Sequence, residues 1–407
     1  MHAVLHDRSL LPISMAIGMA MAGIGMVVPV RVLYAESQGA SLAIIGGMAS
    51  AFLLSNFAFQ YPVGWLADMW GKKRMLAVGQ VGLAILTLLY LVVTDPVLFV
   101  VLRFVEGIFG AGLVAPARAI LADQVPEERR GQAYGVFSAF LNGGFLLGPA
   151  IGGFLAASDY STAFIASFVT RLAAAAIVLL IRGGGATHAT DRERARDVPR
   201  RALWTLPLVG SYILMFGDSL YLGFDLALMP LWMRDHLGAG VTLIGLGYAA
   251  WSLPNMVLSP VGGRMADRKR RSAIILLLGL AQAPFQVAYG LVTEILVVIG
   301  LFAVHGAVYG LMQPSIDAHL AAFSPPHARA RAQSIYAATS MAGAFCAANI
   351  LTILYGVDYR LPMFAMAAAF SLCVVAGGAL VRMAEGRARD ADRRPGLAES
   401  AGAVSAE

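Results

Sequence analysis

Charged residues and cysteine are both scarce in this sequence. Only 13% of the 407 residues are charged, whereas about a quarter is usual in a soluble protein. This shortage excludes an ordinary soluble globular protein. The two cysteines, Cys346 and Cys373, fall inside apolar runs. They are therefore expected to pack as small buried side chains, and they do not indicate a redox compartment.

Several functional motifs are also missing. There is no phosphate-binding G-x-x-x-x-G-K-[ST] loop, which argues against a pump driven by ATP. There is no H-E-x-x-H pattern, which argues against a membrane-embedded metalloenzyme, and no charge cluster that marks a nucleotide or sugar phosphate site. We therefore expect no enzyme activity, no cofactor and no metal site. A membrane-embedded enzyme or receptor is the alternative class, and a catalytic motif in a loop would have favoured it.

What the sequence does contain is apolar runs of membrane-spanning length. Hydrophobic residues make up 58% of the chain, and the mean hydropathy is +0.72. A helix needs about 20 apolar residues to cross the hydrocarbon core. Such runs predict an all-α membrane protein, and the first run is too long for a signal peptide. The twelve predicted spans lie near 10–34, 41–66, 75–94, 97–122, 132–157, 161–182, 204–233, 241–262, 272–292, 295–321, 333–356 and 360–382.

Basic residues cluster in every second connection between these spans. The intervening short loops offer little beyond Arg234 and Arg360. Because cations are enriched in cytoplasmic loops, both termini are expected in the cytoplasm and the protein in the cell inner membrane. Binding to nucleic acid or to anionic lipid heads is the less favoured use of these clusters, and we expect no nucleic-acid partner. The clusters are Lys72, Lys73 and Arg74; Arg129 and Arg130; Arg192, Arg194, Arg196, Arg200 and Arg201; Arg268, Lys269, Arg270 and Arg271; and Arg329 and Arg331.

Composition divides the chain into two halves. Residues 183–203 are polar, glycine-rich and charged, which predicts a flexible cytoplasmic linker. This linker separates a six-helix bundle in residues 1–182 from a second one in residues 204–382. Residues 383–407 contain few large apolar side chains and are predicted to be a disordered cytoplasmic tail.

The two halves share two short sequence echoes. PVGWLAD at 62–68 matches PVGGRMAD at 260–267, and RRGQAY at 129–134 matches RARAQSIY at 329–336. Asp68 and Asp267 lie 199 residues apart. An even number of spans separates the copies, so both copies are expected on the same, cytoplasmic side. This pattern indicates a parallel repeat about an axis along the membrane normal.

The stretch GWLADMWGKKR resembles the signature loop between the second and third spans of the major facilitator superfamily. The matching residues are Gly64, Leu66, Ala67, Asp68, Gly71, Lys72 and Lys73. Met69 replaces the usual arginine, and the copy around Asp267 lacks the second glycine. The resemblance implies two pseudo-symmetric six-helix bundles and a loop that latches them together on the cytoplasmic side. We expect Asp68 to stabilise the outward-open state with Arg118 as its partner; a turn that only sets topology is the alternative.

The fifth predicted span contains NGGFLLGPAIGGFL, residues 142–155, which resembles a motif enriched among the drug/proton antiporters of this family. The residues of the motif are Gly144, Gly148, Pro149, Gly152 and Gly153. Small residues on one face allow close helix packing, and proline bends the helix. The resemblance favours export over import, and generic close packing between the halves is the alternative.

The fourth span contains RFVEGIFGAG, which resembles the R-x-x-q-G motif of the family, with Glu106 in place of the usual glutamine. Arg103 and Glu106 are three residues apart and can pair on one helical face. A charge at the membrane centre costs about 2.5–3.5 kcal/mol, so such residues usually face the bundle interior. The resemblance gives Arg103 a role in proton coupling, with Glu106 setting its charge state. A static ion pair is an equally weighted alternative.

In the fold that the resemblance implies, spans 1, 4, 7 and 10 line a central cavity. Span 7 carries Asp218 and, seven residues later, Asp225, a spacing that keeps both on roughly one face. Burial disfavours the charged form of a carboxylate, so Asp218 or Asp225 is expected to carry the coupling proton. His305 in span 10 is a weaker candidate, for which a structural role is favoured.

Four other residues are candidates for contact with substrate. Tyr221 lies between the two aspartates, and Tyr309 and Gln313 follow His305 at steps of four. Met19 represents the methionines of span 1, whose flexible side chains suit varied apolar molecules, although plain packing is the alternative. Arg171 lies in the middle of span 6, and the sequence identifies no partner for it.

The sequence therefore predicts a proton-coupled exporter of a drug-like or amphipathic small molecule that works by rocker-switch alternating access. A uniporter or proton symporter of a small metabolite, such as a sugar or an organic acid, is the alternative. The expected partners are the small-molecule substrate, protons and the lipid bilayer, and the protein is expected to be monomeric.

Overall fold

The computed structural model describes residues 10–124, 130–180, 200–268, 271–325 and 329–392. Within these ranges all regular elements are helices, and they form twelve candidate spans that are long and apolar enough to cross a membrane. The predicted all-α class with twelve spans is confirmed. Most of the predicted linker and residues 393–407 lie outside the described ranges.

The helices are numbered here by span, and a broken span has two pieces, a and b. A short 3₁₀ helix, Arg200–Leu203, precedes the seventh span. The bounds are α1 (Leu10–Ser37), α2 (Leu42–Trp70), α3 (Lys72–Val92), α4a (Pro96–Ala111), α4b (Val114–Gln124), α5 (Arg130–Leu155), α6 (Tyr160–Leu180), α7a (Leu206–Ala227), α7b (Met229–Leu237), α8 (Val241–Arg268), α9a (Arg271–Leu280), α9b (Ala283–Leu291), α10 (Ile295–Phe323), α11 (Arg329–Val357) and α12 (Leu361–Asp392).

Three spans that were predicted as single helices are broken. The fourth breaks after Ala111, the seventh at Leu228 and the ninth before Ala283. Pro230 and Pro284 occupy the second positions of α7b and α9b. A proline has no N–H to donate, and the first turn of a helix is the position that suits it best. Both prolines therefore stand where the second piece of a broken span begins, whereas other prolines, such as Pro149 in α5, lie inside unbroken helices.

The helices of the two halves, residues 10–180 and 206–392, pack in the same pairwise pattern. In the first half α1 packs on α5 and α6, α2 on α4a, and α3 on α6; in the second half α7a packs on α11 and α12, α8 on α10, and α9a and α9b on α12. A Cβ atom at Gly107 would lie 1.9 Å from Ser55 Oγ, and one at Gly306 would lie 2.0 Å from the Trp251 carbonyl oxygen. Gly107 and Gly306 are 199 residues apart. This is the same separation as that of Asp68 and Asp267 in the sequence repeat.

Buried apolar side chains form one cluster that both halves share, and one larger and one smaller cluster inside each half. The shared cluster includes Leu33 and Ile45 from the first half and Trp232 and Ile244 from the second. We name this end of the molecule, where α1 ends and α2 and α8 begin, the closed end. The opposite end, where α2 and α8 terminate, is named the open end, because the buried apolar clusters described there each lie within one half. Met15, Arg118 and Asp317 lie towards the open end of α1, α4b and α10, and all three are exposed.

The last helix is longer than predicted. α12 continues to Asp392, so the expectation of disorder from residue 383 is wrong for residues 383–392. Glu385 anchors this extension, because its carboxylate accepts hydrogen bonds from the Ser272 N–H at 3.2 Å and from the Ser272 hydroxyl at 2.7 Å. These bonds tie the end of α12 to the start of α9a.

Candidate functional site

The motif GWLADMWGKKR forms the end of α2 and the start of α3, with one residue between them. Gly71 has a φ angle of 98°, a conformation that suits glycine because it has no Cβ. Its N–H donates to the Ala67 carbonyl oxygen at 3.0 Å and closes α2. α3 begins at the next residue, Lys72. The predicted loop is therefore a single-residue junction, and the predicted start of span 3 at residue 75 is three residues late.

The two repeated aspartates lie at the same end of the molecule. Asp68 is in the last turn of α2 and Asp267 is in the last turn of α8, both at the open end. Their side chains lie outside the part of the structure that is described, so the ion pair between Asp68 and Arg118 stays a prediction. Gly64 lies within α2, Lys72 is buried and Lys73 is half-buried.

An ion pair joins the two halves at the closed end. Arg234 in α7b donates from Nη2 to one carboxylate oxygen of Glu36 in α1 at 2.7 Å and from Nη1 to the other. Its Nε donates to Asp235 at 2.7 Å. Nearby, the Asn349 amide of α11 donates to the Ser50 hydroxyl of α2 at 2.7 Å. These bonds between halves hold the closed end together.

A group of buried charges lies inside the first half. Arg103 Nη1 donates to Glu106 Oε2 at 2.8 Å, which is the pair that their spacing allows, and Arg31 Nη2 lies 3.5 Å from Glu106 Oε1. The Arg103 guanidinium also stands 4.2 Å from the centroid of the Phe52 ring, a cation–π contact. Sequence reasoning missed Arg31. The sequence feature that could have identified it is that Arg31 is the only charged residue in the first predicted span.

Arg171 in α6 is buried in the same half. Its Nε donates to the Ser167 hydroxyl at 3.2 Å, and that hydroxyl donates to the Gly23 carbonyl oxygen of α1 at 2.6 Å. A Cβ atom at Gly23 would lie 2.9 Å from Arg171 Cγ, so glycine makes room for the arginine. The partner that the sequence did not identify is a serine one turn away on the same helix.

Three glycines of α5 pack directly on the backbone of α1. Cβ atoms at Gly144, Gly148 and Gly152 would lie 2.2, 2.6 and 2.0 Å from carbonyl oxygens of α1. Real Cβ atoms do not approach so closely, so no larger residue fits at these positions without a backbone shift. This face of the motif packs within the first half, and the alternative of packing between halves is wrong for it.

The other residues of the motif face the second half. A Cβ atom at Gly153 would lie 2.6 Å from the Val241 carbonyl oxygen of α8, and one at Gly245 would lie 2.3 Å from the Pro149 carbonyl oxygen. The Thr242 hydroxyl donates to the Gly153 carbonyl oxygen at 3.2 Å. α5 therefore contacts α1 and α8 through two different sets of motif residues.

In the second half, Asp218 is paired with a tyrosine. One carboxylate oxygen of this buried residue of α7a accepts a hydrogen bond from the Tyr309 hydroxyl of α10 at 3.1 Å. The other oxygen has no hydrogen-bond partner among the described residues. The structure thus brings together a predicted proton site and a predicted substrate contact.

Further polar side chains continue along α10 from this pair. The Gln313 amide donates to the Tyr336 hydroxyl at 3.1 Å, and that hydroxyl donates to Asp317 Oδ1 at 3.1 Å. Tyr309, Gln313 and Asp317 are spaced four residues apart, so they form one stripe from buried Asp218 towards the open end. Sequence reasoning missed Asp317, although its spacing from Gln313 was a signal for it.

His305 is enclosed within the second half. Its Nδ1 lies 2.9 Å from the Tyr289 hydroxyl, and its Nε2 lies 3.1 Å from Gln282 Oε1. The Phe285 ring stacks on the imidazole with centroids 5.5 Å apart. Both ring nitrogens have partners, which is the arrangement of a structural histidine.

The remaining predicted residues do not join the Asp218 stripe. At Asp225, the backbone carbonyl accepts a hydrogen bond from the Tyr248 hydroxyl at 3.0 Å. The Tyr221 ring packs against His305 and Phe370, so it belongs to the core of the second half. Met19 lies half-buried against the cluster inside the first half.

A small pocket of about 10 Å³, room for about one water molecule, lies where the two halves meet, next to the shared cluster of the closed end. Arg31 and Arg103 form its polar wall. The rest of the wall is apolar and consists of Val28, Val32, Ile45, Met48 and Leu226. Leu226 belongs to α7a, so side chains of both halves line the pocket.

The sequence matches the model of a known transporter family over both halves. The model of the family described as Major Facilitator Superfamily matches residues 11–224 and 208–404. An uncharacterised MFS-type transporter of Methanocaldococcus jannaschii is 26% identical over 292 residues, which is 71% of this chain and 70% of that protein. The quinolone resistance protein NorA of Staphylococcus aureus is 28% identical over 205 residues, which is 49% of this chain and only 53% of that protein.

The fold also has a counterpart among solved structures. The crystal structure of a D-xylose–proton symporter has a TM-score of 0.70 and 16% identity, with 91% of this chain and 96% of that chain covered. At this identity the likeness shows the fold alone. The family model, in contrast, spans both sets of six helices. The chain therefore belongs to the Major Facilitator Superfamily and is a multi-pass membrane transporter.

Proposed function

We propose that the protein exports an amphipathic or drug-like compound in exchange for protons by rocker-switch alternating access. The observation that carries this proposal is buried Asp218, bonded to Tyr309 and continued by the stripe through Gln313 to exposed Asp317. A buried carboxyl group can bind or release a proton when its surroundings change. The hydroxyl and amide groups of the stripe offer hydrogen-bonding steps between that carboxyl group and water at the open end.

The direction of transport is supported by two further observations. The motif of α5 resembles that of drug/proton antiporters, and the relative NorA is named a quinolone resistance protein. Both favour export. Asp225 is the second candidate for the coupling proton. Arg103 and Glu106, which lie in the first half, are proposed to take part in coupling proton movement to substrate movement. His305, whose ring nitrogens are both bonded, is assigned a structural role.

We further propose that the open end faces the cytoplasm of the cell inner membrane. Lys72, Lys73 and Arg74 begin α3 at this end, and cations are enriched on the cytoplasmic side. In this orientation both termini are cytoplasmic and the closed end faces out of the cell. One chain supplies both halves and the pocket between them, so a monomer suffices for transport.

Replacement of the Asp218 carboxyl group tests the coupling proposal. Asp218→Asn keeps the size of the side chain and an acceptor for Tyr309, but it cannot bind and release a proton. We expect proton-driven export to be lost in everted vesicles, while exchange of labelled for unlabelled substrate, which needs no net proton movement, continues. Asp358→Asn, at an exposed carboxyl group of the closed end, is the matched control and should export normally. Normal coupled export by the Asp218→Asn, Asp225→Asn and Asp317→Asn variants would contradict the proposal.

The same vesicles separate antiport from the alternative. A proton-gradient dye should report substrate-induced alkalinisation of the acidified lumen when protons leave in exchange for entering substrate. Proton symport would add no such signal, and a uniporter would leave the gradient unchanged. A panel of cationic, neutral and anionic compounds extends the test to the class of substrate.

The motif at the open end yields a separate prediction. If Asp68 helps to latch the halves in the outward-open state, Asp68→Asn should reduce transport and increase the population of the inward-open state. Labelling of a cysteine at position 15, in a chain without Cys346 and Cys373, measures this population because Met15 is exposed here. Asp95→Asn at the opposite end is the control. Wild-type transport together with unchanged labelling would rule out the latch.

A further inference from the structure

The predicted latch at the open end lacks a residue from the second half. Asp68 in α2 and its expected partner Arg118 in α4b both belong to the first half. An ion pair between them can orient Arg118, but it cannot hold the two halves together. A latch between the halves needs a residue of the second half that Arg118 can reach when the open end closes.

The internal repeat identifies a position for this residue. Arg118 and Asp317 are 199 residues apart, which is the separation of Asp68 from Asp267. In a parallel repeat, equivalent positions lie at the same depth and on opposite sides of an axis along the membrane normal. Both side chains are exposed towards the open end, and they carry opposite charges. Arg118 and Asp317 therefore lie where they can meet when the halves approach each other at this end.

The closed end shows that equivalent positions come together where the halves are in contact. Glu36 and Asp235 are also 199 residues apart, and both accept hydrogen bonds from Arg234 at 2.7 Å. In the ion pair between the halves, the arginine comes from the second half and Glu36 from the first. At the open end the signs are reversed, because the first half supplies the arginine and the second half supplies the carboxylate.

The Asp317 carboxylate is oriented by its own half. Its Oδ1 accepts hydrogen bonds from the Tyr336 hydroxyl at 3.1 Å and from the Gln313 amide at 3.4 Å. None of the hydrogen bonds between the described residues uses Oδ2. The charges of Arg118 and Asp317 already interact in this structure, although the two residues belong to different halves. One carboxylate oxygen is thus held in place, while the other is available for a charged donor from the first half.

We propose that Arg118 and Asp317 form an ion pair that holds the open end shut when the closed end opens. The pair of Arg234 with Glu36 and the pair of Arg118 with Asp317 then form in turn, one in each conformation of the transport cycle. Asp68 is assigned the role of orienting Arg118 within the first half. This proposal rests on the alternating access of the proposed function, and it names a contact that stabilises the outward-open state.

Charge reversal and charge exchange test the pair in the purified full-length protein. The measured quantity is the labelling rate of the cysteine at position 15, in the same chain as for the Asp68 variant. Arg234→Glu is added so that the open end is shut at the start. Asp317→Arg should then accelerate labelling about fivefold, the scale of an exposed ion pair, because two arginines face each other. Arg118→Asp combined with Asp317→Arg should restore the slow rate.

Two further variants serve as controls for this test. Asp317→Asn removes the charge without reversing it and should accelerate labelling by a smaller factor, so the outcome does not depend on the folding of the reversed variant. Arg382→Asp, at an exposed cation of α12, should leave the rate unchanged. Equal labelling rates in all of these variants, or an acceleration by Asp317→Arg that the charge exchange does not restore, would overturn the proposal.

The labelling rate needs neither substrate nor a proton gradient, so its outcome is independent of the coupling test. Loss of proton-driven export in Asp218→Asn, together with unchanged labelling in Asp317→Arg, would overturn the latch and leave proton-coupled export supported. Recovery of slow labelling by the charge exchange, without proton movement when substrate is added, would support the latch and contradict proton-coupled export.

Discussion

Arg234→Glu is expected to reduce transport about tenfold, because it should open the closed end. A tenfold effect corresponds to a change of about 1.4 kcal/mol in the free-energy difference between the two conformations. The variant removes the paired contact with Glu36 and places three acidic groups, at positions 36, 234 and 235, side by side. The Arg234 and Glu36 side chains are 32% and 37% exposed, so solvent weakens the effect relative to a buried pair. The double variant Arg234→Glu with Glu36→Arg should recover most of the transport, because it reverses the pair without removing it.

Accessibility at position 50 measures the opening directly. Ser50 is 8% exposed and bonded across the halves to Asn349, so a cysteine there should be labelled slowly in wild type. Labelling should accelerate in Arg234→Glu and slow again in the double variant. Arg360→Glu reverses an exposed charge at the same end and should change neither labelling nor transport. Failure of the double variant to recover, with both single variants folded, would contradict a role for this ion pair in closure.

Gly144→Ala is expected to destabilise the protein by about 1–3 kcal/mol, the usual cost of forcing extra volume into a packed interior. The added Cβ atom would stand 2.2 Å from the Gly18 carbonyl oxygen of α1. The obstacle is backbone, so α1 and α5 must separate. The unfolding temperature in detergent should fall accordingly.

The neighbouring residue supplies a control in the same helical turn. A Cβ atom added at Gly143 would have no other atom within 4 Å. Alanine also stabilises a helix by about 0.8–1.0 kcal/mol relative to glycine. Gly143→Ala should therefore leave the unfolding temperature unchanged or raise it. Equal unfolding temperatures for the two variants would mean that α5 does not lie against α1 as described.

The spans could be predicted from sequence because hydrocarbon requires an apolar run of fixed length. The breaks within spans were missed because hydropathy does not register backbone geometry. Pro230 and Pro284 stand in the first turns of α7b and α9b, and the apolar runs continue through both breaks. Gly71 was recognised as part of a turn, but the turn has only one residue, and its φ angle of 98° depends on how α2 and α3 meet.

The contacts of the candidate site likewise divide into those that the sequence predicts and those that depend on how the helices pack. The bond between Arg103 and Glu106 could be predicted, since both residues lie on one turn of one helix. The approach of Arg31 to Glu106 depends on the packing of α1 against α4a and could not be read from spacing. The pair of Glu36 and Arg234 joins residues from different halves. It depends on how the halves dock, and nothing in a single sequence encodes that directly.

The two faces of α5 have a mechanical consequence. Towards α1 it is fixed by three backbone contacts that leave no room for adjustment, so these two helices should travel as one rigid piece. Towards α8, Gly153 and Gly245 allow main chain to lie against main chain. Two such contacts hold α5 to α8, against three to α1, and only those to α8 lie between the halves. If the halves rock against each other as proposed, α5 should therefore move with α1, and the displacement should occur at its boundary with α8.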